Sequence, residues 1–308
     1  MIVDAHVHAF SEVRGMTGRG PVRGIGFGRV TVGSERLPLM PPAFEGTSFT
    51  ADTLLACMDW AGVDRAILLQ GAFFGECNGY VAAACRSHPD RLVGVAFADP
   101  WSPGTRESLE RAADAGVFRG LKLECSVDTG LLGLHPGARI DDGELEWLWE
   151  TLERLGWILV IDLGKPGSAS YQTDALRAVA ASRPGLRIVI AHLGQPGPDL
   201  DRDPRMMELW RSQVSLGLLP NVWFDTAALP AYFAEEGFPW PGASAFLRRA
   251  MRAVGVRKIV WGTDIPGLLT QGTYPQLRRH CEDALGFLSP ADRDLVFGGT
   301  ARELFAIH

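Results

Sequence analysis

Eight short apolar runs, separated by longer segments of helical spacing, constrain the fold more than any other feature of this sequence. Each run is rich in β-branched or aliphatic residues, whereas the segments between them place apolar residues at helical intervals. Strands are predicted at 2–7, 66–70, 92–97, 119–124, 158–163, 187–192, 222–226 and 258–263. Eight strands that alternate with helices are what a closed parallel barrel requires. The sequence therefore predicts an α/β protein, a (β/α)₈ TIM barrel.

Helices are predicted between these strands, and additional helices follow the eighth strand. Ser289-Pro290 predicts the start of one of these helices, because serine caps a helix N-terminus and proline suits its first position. The predicted helices are 51–61, 78–88, 104–115, 142–155, 172–182, 205–217 and 243–254, with extra C-terminal helices at 273–286, 290–297 and 300–306. Barrels of this length are commonly one domain, so residues 1–308 are predicted to form a single domain.

The segment 11–47, between the first strand and the first helix, is unusually long and rich in glycine and proline. This composition disfavours helix and regular sheet, so a long loop is predicted. Because it follows the carboxyl end of a strand, it is expected to lie over the catalytic face of a barrel. Two interpretations stay open: an ordered lid or substrate wall, and a solvated loop without direct chemistry.

Charge and cysteine content narrow the possible partners. The formal net charge of −6 disfavours nucleic acid, because phosphate binding needs a basic surface. Five cysteines without a CxxC pair favour reduced thiols, and the first residues have none of the features of a signal peptide. No apolar run approaches the ~20 residues that span a membrane. We therefore expect a cytoplasmic protein that acts on a small molecule.

Two histidines on the first predicted strand, His6 and His8, are the first candidates for chemistry. Residues two apart on a strand point to the same face, so both imidazoles should lie together at the barrel mouth. Imidazole pairs suit divalent transition metals such as Zn or Mn. Asp4 has the same parity and is expected one layer deeper, where its carboxylate could hold one of the rings.

Further ionisable residues stand where other predicted strands end. Burying unpaired charges is costly, so packing alone does not explain so many of them, whereas a shared cation would satisfy them. They are Lys122 and Glu124 on strand four, Asp162 on strand five, His192 on strand six, Asp225 on strand seven and Asp264 on strand eight.

Several motifs spread over essentially the whole chain resemble those of the amidohydrolase-related family, whose members are barrel hydrolases and decarboxylases. The motifs are VDAHVH at the start, GLKLE, IAHLG, WGTDIPG and the closing GGTARELF. In that family, two strand-one histidines, a strand-five histidine and the strand-eight aspartate hold one divalent metal, beside which a strand-six histidine acts. The resemblance implies that His6, His8 and Asp264 are metal ligands and that His192 and Asp264 are catalytic. The expected cofactor is one divalent ion, Zn or alternatively Mn.

The strand-five position departs from the family pattern, because Asp162 stands where a histidine is expected. Three interpretations stay open. Asp162 is itself a metal ligand; or it orients His192 or binds substrate; or the metal is dispensable, as in related lactonases. A carboxylated Lys122, as in two-metal relatives, is not expected without the strand-five histidine.

The leading hypothesis is a metal-dependent hydrolase of a small carboxylate-bearing amide, ester or lactone. A metal-activated water would attack, Asp264 would move the proton, and His192 would polarise the carbonyl group. The same centre also suits a non-oxidative decarboxylase of an aromatic or enoic acid. Two further alternatives are a metal-independent lactonase and a barrel that binds without catalysis. The resemblance to dimeric relatives leaves a homodimer possible.

The substrate is expected to be anionic, because the segment 11–47 carries five arginines and arginine pairs well with carboxylates. Aromatic residues near strand ends are expected to form a wall of the site; they are Phe73, Phe74, Trp223, Trp261 and Tyr274. The residues predicted to bind substrate are Lys122, Glu124, Arg23, Trp261 and Tyr274.

Overall fold

A computed structural model describes residues 1–307, and an eight-stranded parallel sheet forms its centre. The strands, numbered in chain order, are β1 Val3–Val7, β2 Arg14–Thr17, β3 Gly20–Gly26, β4 Arg29–Val32, β5 Glu35–Pro38, β6 Arg65–Leu68, β7 Leu92–Phe97, β8 Phe118–Glu124, β9 Ile158–Asp162, β10 Ile188–Ile190, β11 Val222–Asp225 and β12 Ile259–Val260. The central sheet has the order β1-β6-β7-β8-β9-β10-β11-β12, so its neighbours follow the sequence. The predicted (β/α)₈ barrel is confirmed.

Backbone hydrogen bonds between the last and first strands bring the barrel close to closure. The Ala5 N–H donates to the Trp261 carbonyl at 2.9 Å, and the Asp264 N–H donates to the His6 carbonyl at 2.8 Å. These bonds lie just beyond the short strand β12. They hold the strand-one and strand-eight candidates for the site directly beside each other.

Helices lie between the strands and cover the outside of the barrel. They are α1 Ala51–Ala61, α2 Asn78–Ser87, α3 Thr105–Asp114, α4 Leu131–Leu134, α5 Glu146–Leu155, α6 Thr173–Ser182, α7 Pro204–Val214, α8 Leu229–Tyr232, α9 Pro241–Val254, α10 Tyr274–Ala284, α11 Pro290–Asp294 and α12 Thr300–Leu304. The predicted helix 290–297 is shorter than expected, because a wider turn at Leu295–Gly299 interrupts it. The sequence did not predict the short helices α4 and α8. Among residues 1–307, no helix is long and apolar enough to cross a membrane.

The backbone of β1 is irregular, and this changes which of its residues face the barrel interior. Its pairing with β6 shifts register between Asp4 and Val7. Val3 and Ala5 belong to the interior apolar cluster, whereas the Asp4 carboxylate accepts a hydrogen bond from Tyr274 of α10 at 2.8 Å. Asp4 also accepts from the hydroxyl of Thr263. The expectation that Asp4 holds a site imidazole is therefore wrong, because the register shift breaks the simple alternation.

The segment after β1 forms a small antiparallel sheet of the order β2-β3-β4-β5, so the prediction of a loop without regular sheet was wrong. The Val22, Val30 and Val32 side chains are buried beneath it. Its glycines serve the hairpin turns, as at Gly33, whose φ of 58° favours a residue without a side chain. Glycine content thus marked tight turns rather than the absence of strands.

Strand β2 packs against the loop that follows β6, beside the barrel mouth. The Met16 N–H donates to the Ala72 carbonyl at 2.9 Å, and the Arg14 N–H donates to the Phe74 carbonyl at 3.1 Å. The approach is close at Gly15, where an added Cβ would lie 1.9 Å from the Phe73 carbonyl oxygen. The small sheet therefore supports the aromatic loop Phe73-Phe74.

Gly15→Ala should lower the free energy of unfolding by about 1–3 kcal/mol, because the added methyl group forces β2 away from the Phe73 carbonyl. Urea unfolding followed by circular dichroism measures the change. Gly79→Ala in α2 is the matched control: a Cβ there meets nothing within 4 Å, so stability should be unchanged or rise by up to ~1 kcal/mol. Equal stability of the two variants would show that the close approach imposes no constraint.

Candidate active site at the barrel mouth

A cavity of about 260 Å³ opens at the carboxyl ends of the barrel strands, where active sites of this fold lie. Its wall combines ionisable, amide and aromatic side chains. The lining residues are His6, His8, Leu39, Gln70, Gly71, Phe73, Phe74, Lys122, Glu124, Thr129, Asp162, His192, Gln195, Tyr232, Asp264 and Gly267. Six further ionisable residues that the sequence singled out therefore line the same cavity as His6; they are His8, Lys122, Glu124, Asp162, His192 and Asp264.

The rings of His6 and His8 are both fixed through Nδ1. His6 Nδ1 lies 2.9 Å from Asp225 Oδ2, and His8 Nδ1 lies 2.9 Å from the Leu69 carbonyl oxygen. Because both partners are acceptors, each Nδ1 carries a proton. Burial lowers the pKa of His6 well below its ordinary value, as do the nearby charges of Lys122 and His192. His6 is therefore neutral and presents the bare lone pair of its Nε2.

Asp264 faces both of these imidazoles. Its Oδ1 lies 3.0 Å from His8 Nε2 and 3.7 Å from His6 Nε2. Burial raises the pKa of Asp264, but the hydrogen bond and positive charge of His8, with the charge of His192, outweigh this and hold the pKa at about 2. A carboxylate thus faces two imidazole nitrogens whose rings already carry a proton on the other side. This arrangement needs a positive charge between the atoms, either a proton on His8 or a metal ion.

His192 lies opposite, on a left-handed turn that ends β10. His192 and Leu193 have φ values of 58° and 52°, which side chains other than glycine rarely adopt. The ring lies 4.7 Å from the His6 ring, between centroids, and its Nδ1 is 3.3 Å from the Ala227 carbonyl oxygen. Its Nε2 lies 3.5 Å from Asp162 Oδ2. The strained turn therefore points His192 Nε2 into the cavity, beside the Asp162 carboxyl group.

Asp225 organises both histidines from below the cavity. It is fully buried at the end of β11, where Oδ2 accepts from His6 Nδ1. Its Oδ1 accepts from the backbone N–H of His192 at 2.7 Å and of Ala227 at 3.1 Å. One carboxylate thus joins strands β1, β10 and β11. The sequence offered Asp225 as a strand-end carboxylate, but its position alone did not distinguish this role from the start of the next loop.

The structure does not bring Asp162 into the metal-ligand geometry. Among residues 1–307, the two groups whose ligand atoms lie within 4.8 Å of one another are His6 with His8 and Asp264, and His6 with His192 and Asp225. Asp162 instead accepts from Gln195 Nε2 at both oxygens, at 3.0 and 2.9 Å. Of the three interpretations of Asp162, its contact with His192 matches the orienting one.

Asp162 is paired with Glu124 across adjacent strands, in register between β8 and β9. Burial raises the pKa of Glu124 to about 7, and the neighbouring charge of Asp162 adds to the shift. Burial also raises the pKa of Asp162, against the opposing charge of Lys122. Two neighbouring carboxyl groups disfavour each other's ionisation, because both cannot ionise cheaply. This side of the cavity can therefore bind polar groups and hold a proton near neutral pH.

Lys122 is the cation on this side of the cavity. Its side chain is 2% exposed, and its Nζ has no hydrogen-bond partner among the described residues. A buried ammonium group without a partner is costly, so it is normally met by an anion or a polar ligand. Lys122 is thus available to an anionic group that enters the cavity.

Three residues predicted to bind substrate lie elsewhere. Trp261 and Tyr274 are buried, 1% and 0% exposed, and Tyr274 faces Asp4 in the helix layer rather than the cavity. Arg23 is on the small sheet, where its guanidinium donates to the Gly15 carbonyl at 3.0 Å and lines a separate depression. These three residues do not line the cavity. Their sequence positions near strand ends did not reveal which face of the strand or sheet they occupy.

The profile of the family described as "Amidohydrolase" matches residues 3–307. This chain belongs to the amidohydrolase family. The resemblance seen in its motifs is thereby confirmed, and the family members with known reactions are enzymes.

Individual relatives of this amidohydrolase span most of the chain. The D-galactarolactone isomerase of Agrobacterium fabrum is 25% identical over 233 residues, 75% of this chain and 72% of the relative. A crystal structure of a Burkholderia multivorans amidohydrolase with bound zinc has a TM-score of 0.73, with 20% identity and 100% of both chains covered. A probable 2-pyrone-4,6-dicarboxylic acid hydrolase of Acinetobacter baumannii, with citric acid bound, has a TM-score of 0.71, with 18% identity and 99% of both chains covered. At these identities the two solved structures support the fold.

Sequence reasoning missed several polar residues that line the amidohydrolase cavity. Gln70 directly follows the β6 run, so a polar residue at a strand end was a usable signal. Gln195 follows β10 in a left-handed turn, which carries no sequence periodicity, and Tyr232 ends the short helix α8, which the sequence did not predict. Phe74, predicted as part of an aromatic wall, does line the cavity and packs against His8 with ring centroids 4.5 Å apart.

Asp225→Asn should lower the free energy of unfolding by about 1–3 kcal/mol, because the amide NH₂ must face either His6 Nδ1–H or the backbone N–H groups of His192 and Ala227. Chemical denaturation at pH 7 measures the loss. Asp90→Asn, at an exposed loop position, makes the same chemical change and should stay within ~0.5 kcal/mol of the wild type. A neutral effect of Asp225→Asn would remove Asp225 as the organising group.

Proposed function

We propose that this amidohydrolase hydrolyses a small lactone that carries a carboxylate group. The observation that carries the proposal is the unpartnered Lys122 ammonium in the same cavity as Asp264 and His192. Lys122 supplies the charge that a carboxylate needs, Asp264 supplies proton transfer, and His192 polarises the carbonyl group. The relatives support the substrate class, since the names of two of them denote a lactone isomerase and a hydrolase of a pyrone dicarboxylic acid, itself a cyclic ester.

In the proposed reaction, Asp264 is the base that takes a proton from the attacking water. Its pKa of about 2 keeps it ionised at neutral pH, and its position against His8 and His6 orients its lone pairs into the cavity. After attack, the same carboxyl group returns the proton to the ring oxygen that leaves as an alcohol. The net change is cleavage of the acyl C–O bond by one water molecule.

His192 polarises the lactone carbonyl in this proposal. Its Nδ1 faces the Ala227 carbonyl, so Nε2 is the ring nitrogen that faces the substrate, and it donates to the lactone carbonyl when the ring carries a second proton. The Asp162 carboxyl group, 3.5 Å from Nε2, holds the ring in this orientation. Gln195 holds Asp162 through both oxygens, so this orientation is set before the substrate binds. Asp162 and Gln195 are therefore positioning residues for His192.

A divalent metal fits His6, His8 and Asp264, because two imidazole Nε2 atoms and one carboxylate oxygen converge there and Asp225 and the Leu69 carbonyl hold the opposite ring nitrogens. When bound, such an ion lowers the pKa of water and polarises a carbonyl group. We propose zinc, with manganese as an alternative. The zinc in the Burkholderia multivorans structure supports this choice.

A metal-independent lactonase is the second candidate, and two observations favour it. His8 Nε2 lies 3.0 Å from Asp264 Oδ1, a distance at which a protonated His8 forms an ion pair with the carboxylate without any metal. The aspartate on β9 also leaves the metal group with three residues. In this case Asp264 and His192 keep the roles given above.

Turnover of the purified enzyme on carboxylate-bearing lactones tests the proposal. The rate of ring opening, followed with a pH indicator, should fall by ~10²–10⁴-fold in His192→Ala, which removes the group that polarises the carbonyl, and in Asp264→Asn, which removes the base. Elemental analysis should find close to one divalent ion per chain in the wild type and in His192→Ala. Activity that survives metal removal by a chelator would select the metal-independent form. Release of CO₂ without ring opening would replace the lactonase proposal with decarboxylation.

Lys122→Met should raise KM for the carboxylate-bearing lactone by roughly 10–100-fold, because one charge-assisted hydrogen bond to the carboxylate is lost. The neutral methyl ester of the same lactone should show little change. Lys165→Met removes the same charge from an exposed position after β9 and is the matched control. Equal effects of Lys122→Met on the acid and its ester would mean that Lys122 does not bind the carboxylate.

A further inference from the structure

Gln70 presents a buried acceptor atom that no described residue satisfies. The side chain is 0% exposed, and its Nε2 donates to the Ala9 carbonyl at 3.4 Å. A carbonyl oxygen only accepts, so the amide nitrogen must face Ala9 and Oε1 must face the other way. Oε1 has no hydrogen-bond partner among residues 1–307. The orientation of this amide is therefore fixed by its one contact.

Gln70 lines the cavity and is adjacent in the chain to a residue that orients a site histidine. It follows Leu69, whose carbonyl holds His8 Nδ1, so the backbone that orients a site histidine also positions Gln70. Its neighbour Gly71 leaves room toward Glu124, where an added Cβ would meet the Glu124 side chain at 3.4 Å. Gln70 is thus placed between the His8 side of the cavity and the Glu124 side.

Two residues that line the cavity therefore have buried polar atoms without a partner among residues 1–307, and the two atoms have opposite hydrogen-bonding character. Lys122 Nζ offers only donors and a positive charge, whereas Gln70 Oε1 offers only lone pairs. A ligand that satisfies both must carry an anion and, separately, a hydrogen-bond donor. A cationic donor is disfavoured beside an ammonium group, so the donor should be neutral, and a hydroxyl is the simplest neutral donor.

We propose that Gln70 is a specificity-determining residue whose Oε1 accepts a hydrogen bond from a hydroxyl group of the substrate. The substrate class is then a hydroxylated carboxylic acid lactone, in contrast to a flat unsaturated ring without hydroxyl groups. This inference rests on the proposed function for the reaction that the substrate undergoes, whereas the binding of a hydroxyl group by Gln70 does not depend on it. A ligand without the hydroxyl leaves Oε1 unpaired, and sites of this kind discriminate strongly against such analogues.

Calorimetric binding of two matched diacids tests the proposal without any turnover. Galactaric acid and adipic acid have the same six-carbon chain and the same two carboxylates, and differ only in the hydroxyl groups on the inner carbons. Wild-type protein should bind galactaric acid more tightly by roughly 10-fold or more, since a hydroxyl meets an otherwise unpaired acceptor. Gln70→Met keeps the length and approximate volume of the side chain but removes the acceptor, so this preference should disappear while adipic acid binds as before.

Gln213→Met is the control for removing a buried glutamine. Gln213 is also 0% exposed with an unpartnered Oε1, but it is on α7 and does not line the cavity. Its substitution should leave the ratio of the two affinities unchanged. Thermal unfolding of both variants shows whether each remains folded.

Four results would overturn the assignment of Gln70: equal affinity of the wild type for the two acids, no saturable binding of either acid, a preference retained in Gln70→Met, or a preference lost in Gln213→Met. Failure of the proposed function gives a different pattern. In that case the wild type opens no lactone, yet it still prefers galactaric acid and loses this preference in Gln70→Met. The recognition role and the lactonase reaction are thus tested separately.

Discussion

The geometry of the barrel mouth depends on one buried carboxylate, Asp225. It accepts from the His6 ring with one oxygen and from the backbone of His192 and Ala227 with the other. These bonds fix the tautomer of His6, so that its Nε2 lone pair faces Asp264. They also stabilise the left-handed turn that carries His192. Without the Asp225 carboxylate, the His6 ring and the His192 backbone would each lose a hydrogen bond that holds them in their present orientation.

Irregular backbone at the strand ends orients most of the candidate site residues. His6 lies within the register shift of β1, and His192 and Asp264 both have left-handed backbones, with φ values of 58° and 70°. Such conformations cost free energy, of the order of 1–3 kcal/mol each, and are retained where the surrounding structure fixes them. The hydrogen bond between the Asp264 N–H and the His6 carbonyl is one such fixing contact. The regular barrel thus brings these side chains to its mouth, and the local irregularity of the backbone determines the direction in which they point.

The same distinction explains what could be predicted from the sequence. Alternation and helical spacing are properties of regular elements, so the barrel, its strand order and the presence of His6, His8, His192 and Asp264 at the mouth could be predicted. Asp4 was misplaced because strand parity fails across the register shift. The small sheet β2–β5 was missed because its many glycines were interpreted as loop, although they form hairpin turns. The contacts of Asp162 with Gln195 depend on a left-handed turn, which leaves no periodic signal in the sequence.

Aspartate rather than histidine on β9 also changes the charge balance of the cavity. Burial raises the pKa of both the Asp162 and the Glu124 carboxyl groups, which disfavours two negative charges on this side of the cavity. The neighbouring Lys122 Nζ has no hydrogen-bond partner among residues 1–307, so neither Asp162 nor Glu124 forms a direct hydrogen bond with it. A carboxylate ligand can therefore reach an available cation even though the cavity wall contains several acidic residues. With aspartate on β9, the site has two sides. One side is suited to a metal ion or a proton and consists of His6, His8 and Asp264. The other side is suited to substrate recognition and consists of Lys122, Glu124 and Asp162.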